Sequence, residues 1–201
     1  MRKSTTKMGL VLSMLLVSFC GIRTANAQKI LSGDLKFLSG VKSINVVFDF
    51  SNFKIEDETE QQYLDKEVAE KNKKEAGSGD KFLKEWEDYK KNKVIVGFVK
   101  SMKDGGLEIK TKDSTAKYTL IVHDINLTNK GFGNKFAGGT PARMEVDYDF
   151  VETANKANSP CKLRELKAQY MSMTGTLTQK IQGCLEYSGY QMGKTINKNL
   201  K

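Results

Sequence analysis

YTLIVHDI (residues 118–125) and ARMEVDYDFV (residues 142–151) flank the stretch NKGFGNKFAGGTP (residues 129–141), and this segment from Lys117 to Val151 decides the fold. Both flanks are rich in β-branched and aromatic residues, whereas the middle contains four glycines and a proline. Such an arrangement is typical of two strands joined by a loop. We therefore predict a long β-hairpin.

Side-chain alternation assigns the two strands different places in the sheet. The first strand is apolar on both faces, with Leu120 and Val122 on one face and Ile121 and Ile125 on the other, which indicates a central strand. The second strand has one apolar face and one acidic face, and we predict that only the apolar face is buried. Its residues on the two faces are Met144, Val146, Tyr148 and Phe150 against Glu145, Asp147 and Asp149.

The other elements predict an α+β fold. Alternation predicts strands over residues 44–50 and 163–173, the latter with Leu166, Ala168 and Tyr170 on its apolar face. Helical spacing and capping residues predict helices near residues 57–75, 80–103 and 179–199. We expect a mainly antiparallel sheet of four to five strands packed against two to three helices on one face. Three glycines of the last helix (Gly183, Gly189 and Gly193) indicate its close approach to the sheet.

The N-terminal sequence has the features of a secretory signal peptide. A basic start is followed by an apolar run of 13 residues, Met8–Cys20, and then by the cleavage pattern Ala25-Asn26-Ala27. The run is shorter than the roughly 20 residues that span a bilayer. We predict a signal peptide over residues 1–27, a single mature domain over residues 28–201, and a periplasmic or secreted location. Lipid anchoring at Cys20 is disfavoured because Phe19 stands where a small residue is needed.

The charge of the mature chain argues against nucleic-acid binding. Removal of residues 1–27 takes away four of the 33 basic residues and none of the 24 acidic ones, which leaves a net charge of +5. This excess is spread along the chain without an arginine cluster, whereas a nucleic-acid protein shows a concentrated basic stripe. The expected partners are an envelope protein or a surface polymer, the latter through weak attraction of anions to a lysine-rich surface.

Two cysteines remain after signal cleavage, Cys161 and Cys184. An oxidising compartment permits a disulfide between them, which would close a loop of about 24 residues and add roughly 3 kcal/mol. The alternative is a pair of buried free thiols that act as small apolar residues. One histidine and no CxxC pair predict no metal site, and no motif indicates a cofactor.

Two groups of residues are candidates for a functional site. His123 with Asp147 and Asp149 suggests a secreted hydrolase, although a charged, solvated strand face explains the same residues and no nucleophile motif accompanies them. The aromatic glycine loop suggests partner binding through four residues, Phe132, Asn134, Lys135 and Phe136. The alternative for this loop is that its phenylalanines fold back onto the sheet edge.

The aromatic stripe around Trp86 gives a third hypothesis. Phe82, Leu83, Trp86 and Tyr89 recur at helical spacing, which favours a core stripe. Binding of a small ligand near Trp86 is the alternative. No catalytic residue is assigned from the sequence, and an enzyme is the less favoured class.

Short stretches throughout the mature chain resemble small secreted proteins of unknown function from Bacteroides-type bacteria. They are residues 41–52 (VKSINVVFDFSN), 63–66 (YLDK), 117–122 (KYTLIV), 151–155 (VETAN), 180–182 (KIQ) and 190–194 (YQMGK). More distantly, the plan is similar to small envelope domains with a mixed sheet and helices on one face, often lipoproteins or assembly factors. The resemblance implies an α+β fold and an envelope location, and it transfers no catalytic residue. The leading hypothesis is a non-enzymatic envelope module for binding or assembly.

Overall fold

A computed structural model describes residues 28–128, 142–170 and 176–200 of the 201-residue chain. Seven strands in these ranges form one sheet, in the order β1-β7-β6-β5-β3-β4, with β2 also paired to β5. The strands are β1 (Gln28–Gly33), β2 (Asn45–Phe48), β3 (Lys54–Ile55), β4 (Glu58–Thr59), β5 (Tyr118–Thr128), β6 (Ala142–Glu152) and β7 (Cys161–Tyr170).

The predicted hairpin is present as the antiparallel pair β5 and β6, and β5 lies inside the sheet. Most pairings are antiparallel, but β2 and β3 both run parallel to β5. The α+β class is therefore confirmed, while the expected four to five strands are too few. The additional strands include β3 and β4, of two residues each. Segments this short leave no alternation that a sequence pattern can detect.

The helices are α1 (Glu60–Lys74), α2 (Ser78–Tyr89), α3 (Ile95–Asp104) and α4 (Leu177–Leu200). A π-helical turn, Lys90–Val94, joins α2 directly to α3. Helix α1 begins with a capping box, in which Gln62 N donates to Thr59 Oγ1 at 3.2 Å and Thr59 N donates to Gln62 Oε1 at 3.0 Å. No helix in the described part of the chain is long and apolar enough to cross a bilayer.

Helices α3 and α4 lie on the apolar face of the sheet, and their backbones contact each other. A Cβ added at Gly189 would lie 2.4 Å from the carbonyl oxygen of Phe98, and one added at Gly193 would lie 2.0 Å from that of Met102. These two glycines therefore bring α4 close to α3 and not, as expected, to the sheet. Gly183 does approach the sheet, because a Cβ there would lie 2.1 Å from the ring of Tyr170 on β7.

Two β-bulges change which side chains enter the core. The β5–β6 register shifts between His123 and Asn126, so Ile125 is buried on the same side as Leu120 and not on the opposite one as predicted. The β6–β7 register shifts between Met144 and Val146. As a result Glu165 points into the core, and Leu166, predicted to be on the apolar face, is 47% exposed.

The buried Glu165 is the centre of a polar cluster. Its Oε2 accepts hydrogen bonds from Gln28 Nε2 at 3.0 Å, Tyr148 Oη at 3.1 Å and Ser188 Oγ at 2.5 Å. These donors come from β1, β6 and α4, and Glu165 is on β7, so one carboxyl group connects four elements. Burial raises the pKa of Glu165, although all three hydrogen bonds oppose that shift.

Cys161 and Cys184 are both buried in the structure and are not bonded to each other, which agrees with the alternative of two small apolar residues. Cys161 pairs with Phe150 near one end of β6, whereas Cys184 Sγ lies 3.6 Å from the carbonyl oxygen of Ala142, the first residue of β6. Eight residues of strand separate those two positions, roughly 26 Å at the usual rise of a strand. Two cysteines must have Cα atoms within about 7 Å of each other to be bridged.

Candidate functional site

The candidate site lies on the polar face of the sheet, opposite the helices. The acidic row predicted from the sequence is there on β6, with Glu145 exposed and Asp147 and Asp149 half-buried. Basic residues of β7 and the histidine of β5 stand beside it, because β6 is the strand between them. The sequence therefore predicted the acidic row and its neighbour His123 correctly, but not the basic partners.

Two of the three acids form ion pairs with basic residues on the neighbouring strand. Arg164 donates to both carboxylate oxygens of Asp147, from Nε at 2.6 Å and from Nη2 at 2.5 Å. Lys162 Nζ donates to Asp149 Oδ2 at 2.8 Å. Both pairs join directly opposite residues of β6 and β7. Their acids are therefore neutralised within the sheet itself.

The β5 bulge brings His123 and Asp124 to the same side of the strand. Neighbouring residues in a regular strand point to opposite faces. Asp124 instead has a left-handed backbone with φ of 47°, and its Oδ2 accepts a hydrogen bond from His123 Nδ1 at 2.7 Å. Asn52 Nδ2 donates to the other carboxylate oxygen at 2.9 Å. Burial disfavours ionised Asp124, but the bonds from His123 and Asn52 outweigh it and lower the pKa of Asp124.

His123 lies between two carboxylates. Its Nδ1 bonds to Asp124, while its Nε2 is 3.5 Å from Asp149 Oδ1 in a geometry that makes no hydrogen bond. Asp49, which follows the last residue of the neighbouring strand β2, is a third acid near the imidazole ring. Hydrogen bonds from Ser51 lower the pKa of Asp49. The imidazole is therefore oriented by acids, and its second nitrogen has an unused hydrogen-bonding position.

The structure brings the three residues of the hydrolase hypothesis together, but it does not arrange them for nucleophilic catalysis. His123 pairs directly with Asp147 across the strands, and Asp149 is its other neighbour on β6. Asp147 is occupied by Arg164, and the contacts of His123 within the described residues are to carboxylates and to no hydroxyl or thiol. Nucleophilic catalysis requires such a group within hydrogen-bond reach of the base. The arrangement thus supports a solvated, ion-paired sheet face better than a triad.

A groove of about 420 Å³ crosses the polar face next to this cluster. We call it the polar groove; it is lined by Asn52, Lys54, Asp124, Asn126, Glu145, Asp147 and Arg164. Asn126 Oδ1 is buried and has no hydrogen-bond partner among the described residues. A buried acceptor without a partner costs free energy, and a ligand donor could satisfy it only if the Asn126 side chain turned toward the groove.

Most of the groove residues could not be recognised in the sequence. They come from β3, β5, β6, β7 and the turn after β2, and they meet only because β3 and β6 flank β5. Asn126 pairs with Glu145 on one side and with Lys54 on the other. No local spacing contains that information.

The predicted partner-binding loop, with Phe132, Asn134, Lys135 and Phe136, lies outside the described residues. Its two attachment points are described: β5 ends at Thr128 and β6 begins at Ala142. Asn126 and Glu145 are close to these ends along the two strands. The loop is therefore connected to the sheet at the end that carries the polar groove.

Trp86 belongs to the core. It is 2% exposed, stacks on Phe53 at 6.5 Å between ring centroids, and donates from Nε1 to Glu60 Oε1 at 2.6 Å. Lys90 of the π-helical turn also bonds to Glu60, at 2.8 Å. The indole is therefore enclosed by other side chains, which favours the core interpretation over direct binding of a ligand to Trp86. Within the described ranges, no group of three or more potential ligands could hold a metal ion.

Comparison with known proteins assigns no family. No protein family model and no curated protein matches the sequence. Among solved structures, the chain is similar to the PelC dodecamer from Paraburkholderia phytofirmans in space group P6, at 11% identity and a TM-score of 0.40, over 86% of this chain and 95% of that one. It is also similar to a single-substitution variant of that dodecamer in space group C2, at 12% identity and a TM-score of 0.40, over 84% and 95% of the two chains.

Proposed function

We propose that this protein is exported to the cell envelope and binds another envelope macromolecule through the polar groove, without catalysing a reaction. The observation that carries the proposal is a groove lined by polar and charged side chains, in which the Asp147–Arg164 ion pair and the hydrogen bonds of Asp124 fix part of the wall. Paired charges keep such a surface ordered before a ligand arrives. Lys54 and Glu145 are exposed and make no ion pair among the described residues, so they offer the ligand charged contacts on an ordered surface.

Chemistry at this face is disfavoured by the same ion pairs. A general base needs a carboxylate or imidazole that is free to take a proton near its substrate. Here Asp147 accepts two bonds from Arg164, and Asp149 accepts one from Lys162. His123 Nε2 has no hydrogen-bond partner among the described residues, but it is buried and so does not reach a substrate in the groove. Their positions suit recognition of a polar partner.

The loop over residues 129–141 extends the proposal. Its phenylalanines, Phe132 and Phe136, would add apolar contacts beside a groove that is otherwise polar. Aromatic contacts surrounded by polar residues are typical of protein interfaces. Replacement of both by serine is expected to weaken partner binding without unfolding the protein; loss of stability instead would indicate that they pack on the sheet edge.

Export is a separate part of the proposal and has its own test. The sequence favours cleavage before Gln28, and in the fold Gln28 is the first residue of β1, with its side chain in the Glu165 cluster. Mass spectrometry of the protein from cells is expected to show an N terminus at Gln28. An acylated Cys20, or an uncleaved cytosolic chain, would contradict it.

Affinity capture from a detergent extract of the envelope tests the groove. We expect the wild-type protein to retain one reproducible component, and the double variant Asn126→Ala/Lys54→Ala to lose it. The matched control Gln61→Ala/Lys73→Ala changes one exposed amide and one exposed lysine of α1, far in sequence from the groove, and should retain the component. Equal recovery by all three proteins, or recovery of nothing, would count against the proposal.

A further inference from the structure

A second groove, of about 410 Å³, lies between helix α3 and the segment that follows it. We call it the lysine groove; it is lined by Val96, Val99, Lys100, Lys103, Lys110, Thr111 and Lys112. It shares no residue with the polar groove. Four of its seven lining residues are lysines, and none is acidic.

Most of this positive charge is not neutralised by the protein. Lys100 is 3.9 Å from Asp104, and both side chains are mostly exposed, so that pair is weak. Among the described residues, Lys103, Lys110 and Lys112 have no ion-pair partner within 4 Å. Asp113, next to Lys112 in the sequence, accepts hydrogen bonds from Thr115 and Ser43, and its electrostatic attraction to Lys110 is weaker than those bonds. The lysine groove therefore presents unpaired ammonium groups to solvent.

The four ammonium groups come as two pairs on two different elements. Lys100 and Lys103 are three residues apart on α3, which places them on one side of that helix. Lys110 and Lys112 are two residues apart on the segment that Ser43 holds through an isolated bridge to Lys110. Positive charge thus extends along the groove and is not focused on one point.

This distribution favours an extended anion over a compact one. Phosphate sites generally use arginine forks or the amides of a helix N terminus. The lysine groove contains no arginine, and its α3 residues lie toward the helix C terminus, whose partial charge is negative. Lysines act as flexible point charges, which suits a chain with repeated negative groups.

The apolar part of the groove is small: Val96 is 42% exposed and Val99 is 5% exposed. A single-stranded nucleic acid is bound by exposed aromatic rings, and this lining has none. A lysine cluster also attracts an anionic membrane, but these lysines line a groove, which a polymer chain can enter and a flat bilayer cannot. We propose that the lysine groove binds an anionic polysaccharide, which goes beyond the partner contact assigned to the polar groove.

The test measures binding of the purified full-length exported protein to alginate, a polymer of carboxylate sugars, by titration calorimetry at low salt. Dextran serves as the uncharged probe. The groove variant replaces Lys100, Lys103, Lys110 and Lys112 by glutamine. The control variant replaces four exposed lysines elsewhere, Lys73, Lys74, Lys84 and Lys93, and therefore changes the net charge equally.

We expect the wild-type and control proteins to bind alginate and not dextran, and the groove variant to bind about tenfold more weakly, or about 1.4 kcal/mol. Addition of salt to 0.5 M should abolish binding, since screening is strong at that concentration. Equal weakening in both variants would indicate diffuse charge and overturn the proposal. Stronger binding to phosphatidylglycerol vesicles than to alginate would overturn it too, as would the absence of alginate binding. The polar-groove variant Asn126→Ala/Lys54→Ala should bind alginate normally, so the two proposals can fail separately.

Discussion

The guanidinium of Arg164 donates two hydrogen bonds to the carboxylate of Asp147, directly opposite it on the neighbouring strand. This is one of two ion pairs that neutralise acids in the row on β6 beside His123. The charge of Asp147 is balanced by Arg164, and that of Asp149 by Lys162. Strand pairing therefore converts a row of acids, which suggests catalysis in the sequence, into an ordered polar surface.

The Arg164–Asp147 pair should contribute little to stability. Arg164 is about half exposed, and solvent-exposed ion pairs contribute about 0–1 kcal/mol. We expect Arg164→Ala to lower the free energy of unfolding by less than about 1 kcal/mol in urea denaturation. Its neighbour Leu163 is 1% exposed, so Leu163→Ala should cost about 2–5 kcal/mol. Similar losses for both variants would show that the polar face is part of the stabilising core.

The contact between α3 and α4 depends on glycine at position 193. A Cβ there would overlap the carbonyl oxygen of Met102, so the helices must separate. We expect Gly193→Ala to lower the unfolding free energy by about 1–3 kcal/mol, despite the higher helix propensity of alanine. Lys198→Ala, at an exposed position in the last turn of the same helix, should cost less than about 0.5 kcal/mol, because it removes only a weak interaction with the helix dipole. An unchanged or higher stability for Gly193→Ala would contradict the packing.

The buried carboxyl of Glu165 should make stability depend on pH. Its ordinary pKa is 4.5, and burial raises the pKa of Glu165 in the folded chain. Between those two values the unfolded chain has released the proton and the folded chain still holds it. The resulting contribution to stability is fully present below about pH 4.5 and is lost as the pH rises through the folded pKa.

Replacement of Glu165 by glutamine removes this titration. Relative to wild type, Glu165→Gln should therefore gain stability as the pH increases from 4 to 7 in urea denaturation. Glu145→Gln removes an exposed carboxylate and is the control for the loss of charge. If the difference between Glu165→Gln and wild type is constant with pH, then Glu165 ionises as readily in the folded chain as in the unfolded one.

The two cysteines should be reduced and unreactive in the folded protein. Burial raises the pKa of Cys161 to about 11 and that of Cys184 to about 12, so very little reactive thiolate forms at neutral pH. Alkylation without a reductant, followed by peptide mass spectrometry, should leave both unmodified in the native state and modify both in urea. Failure of both to react in urea would indicate the disulfide.

The sequence predicted those parts of the fold that depend on short-range pattern. The β5–β6 hairpin and the helical segments near residues 57–75 and 179–199 each have a local signal, and each is present. The free thiols could not be decided in this way. The distance between Cys161 and Cys184 depends on where α4 crosses the sheet, which is a long-range property.

The bulges account for the main errors in side-chain placement. One inserted residue reverses the alternation of everything beyond it. In β5, the extra residue Asp124 moves Ile125 to the opposite face of the sheet from the one predicted. In β7, the register irregularity does the same to Leu166. The same irregularities produce the functional geometry, because the β5 bulge turns Asp124 toward His123 and the polar groove. A pattern-based prediction assumes regular strands and is therefore least accurate at this site.

Site-specific photo-cross-linking in living cells tests the central claim most directly. A photoreactive residue at position 126 would stand in the polar groove, whereas one at the exposed Glu70 of α1 would stand outside it. We predict a discrete adduct from position 126, none from position 70, and loss of the first adduct when Arg164→Glu is introduced. Equal adducts from both positions, or none from position 126, would contradict a binding role for the polar groove.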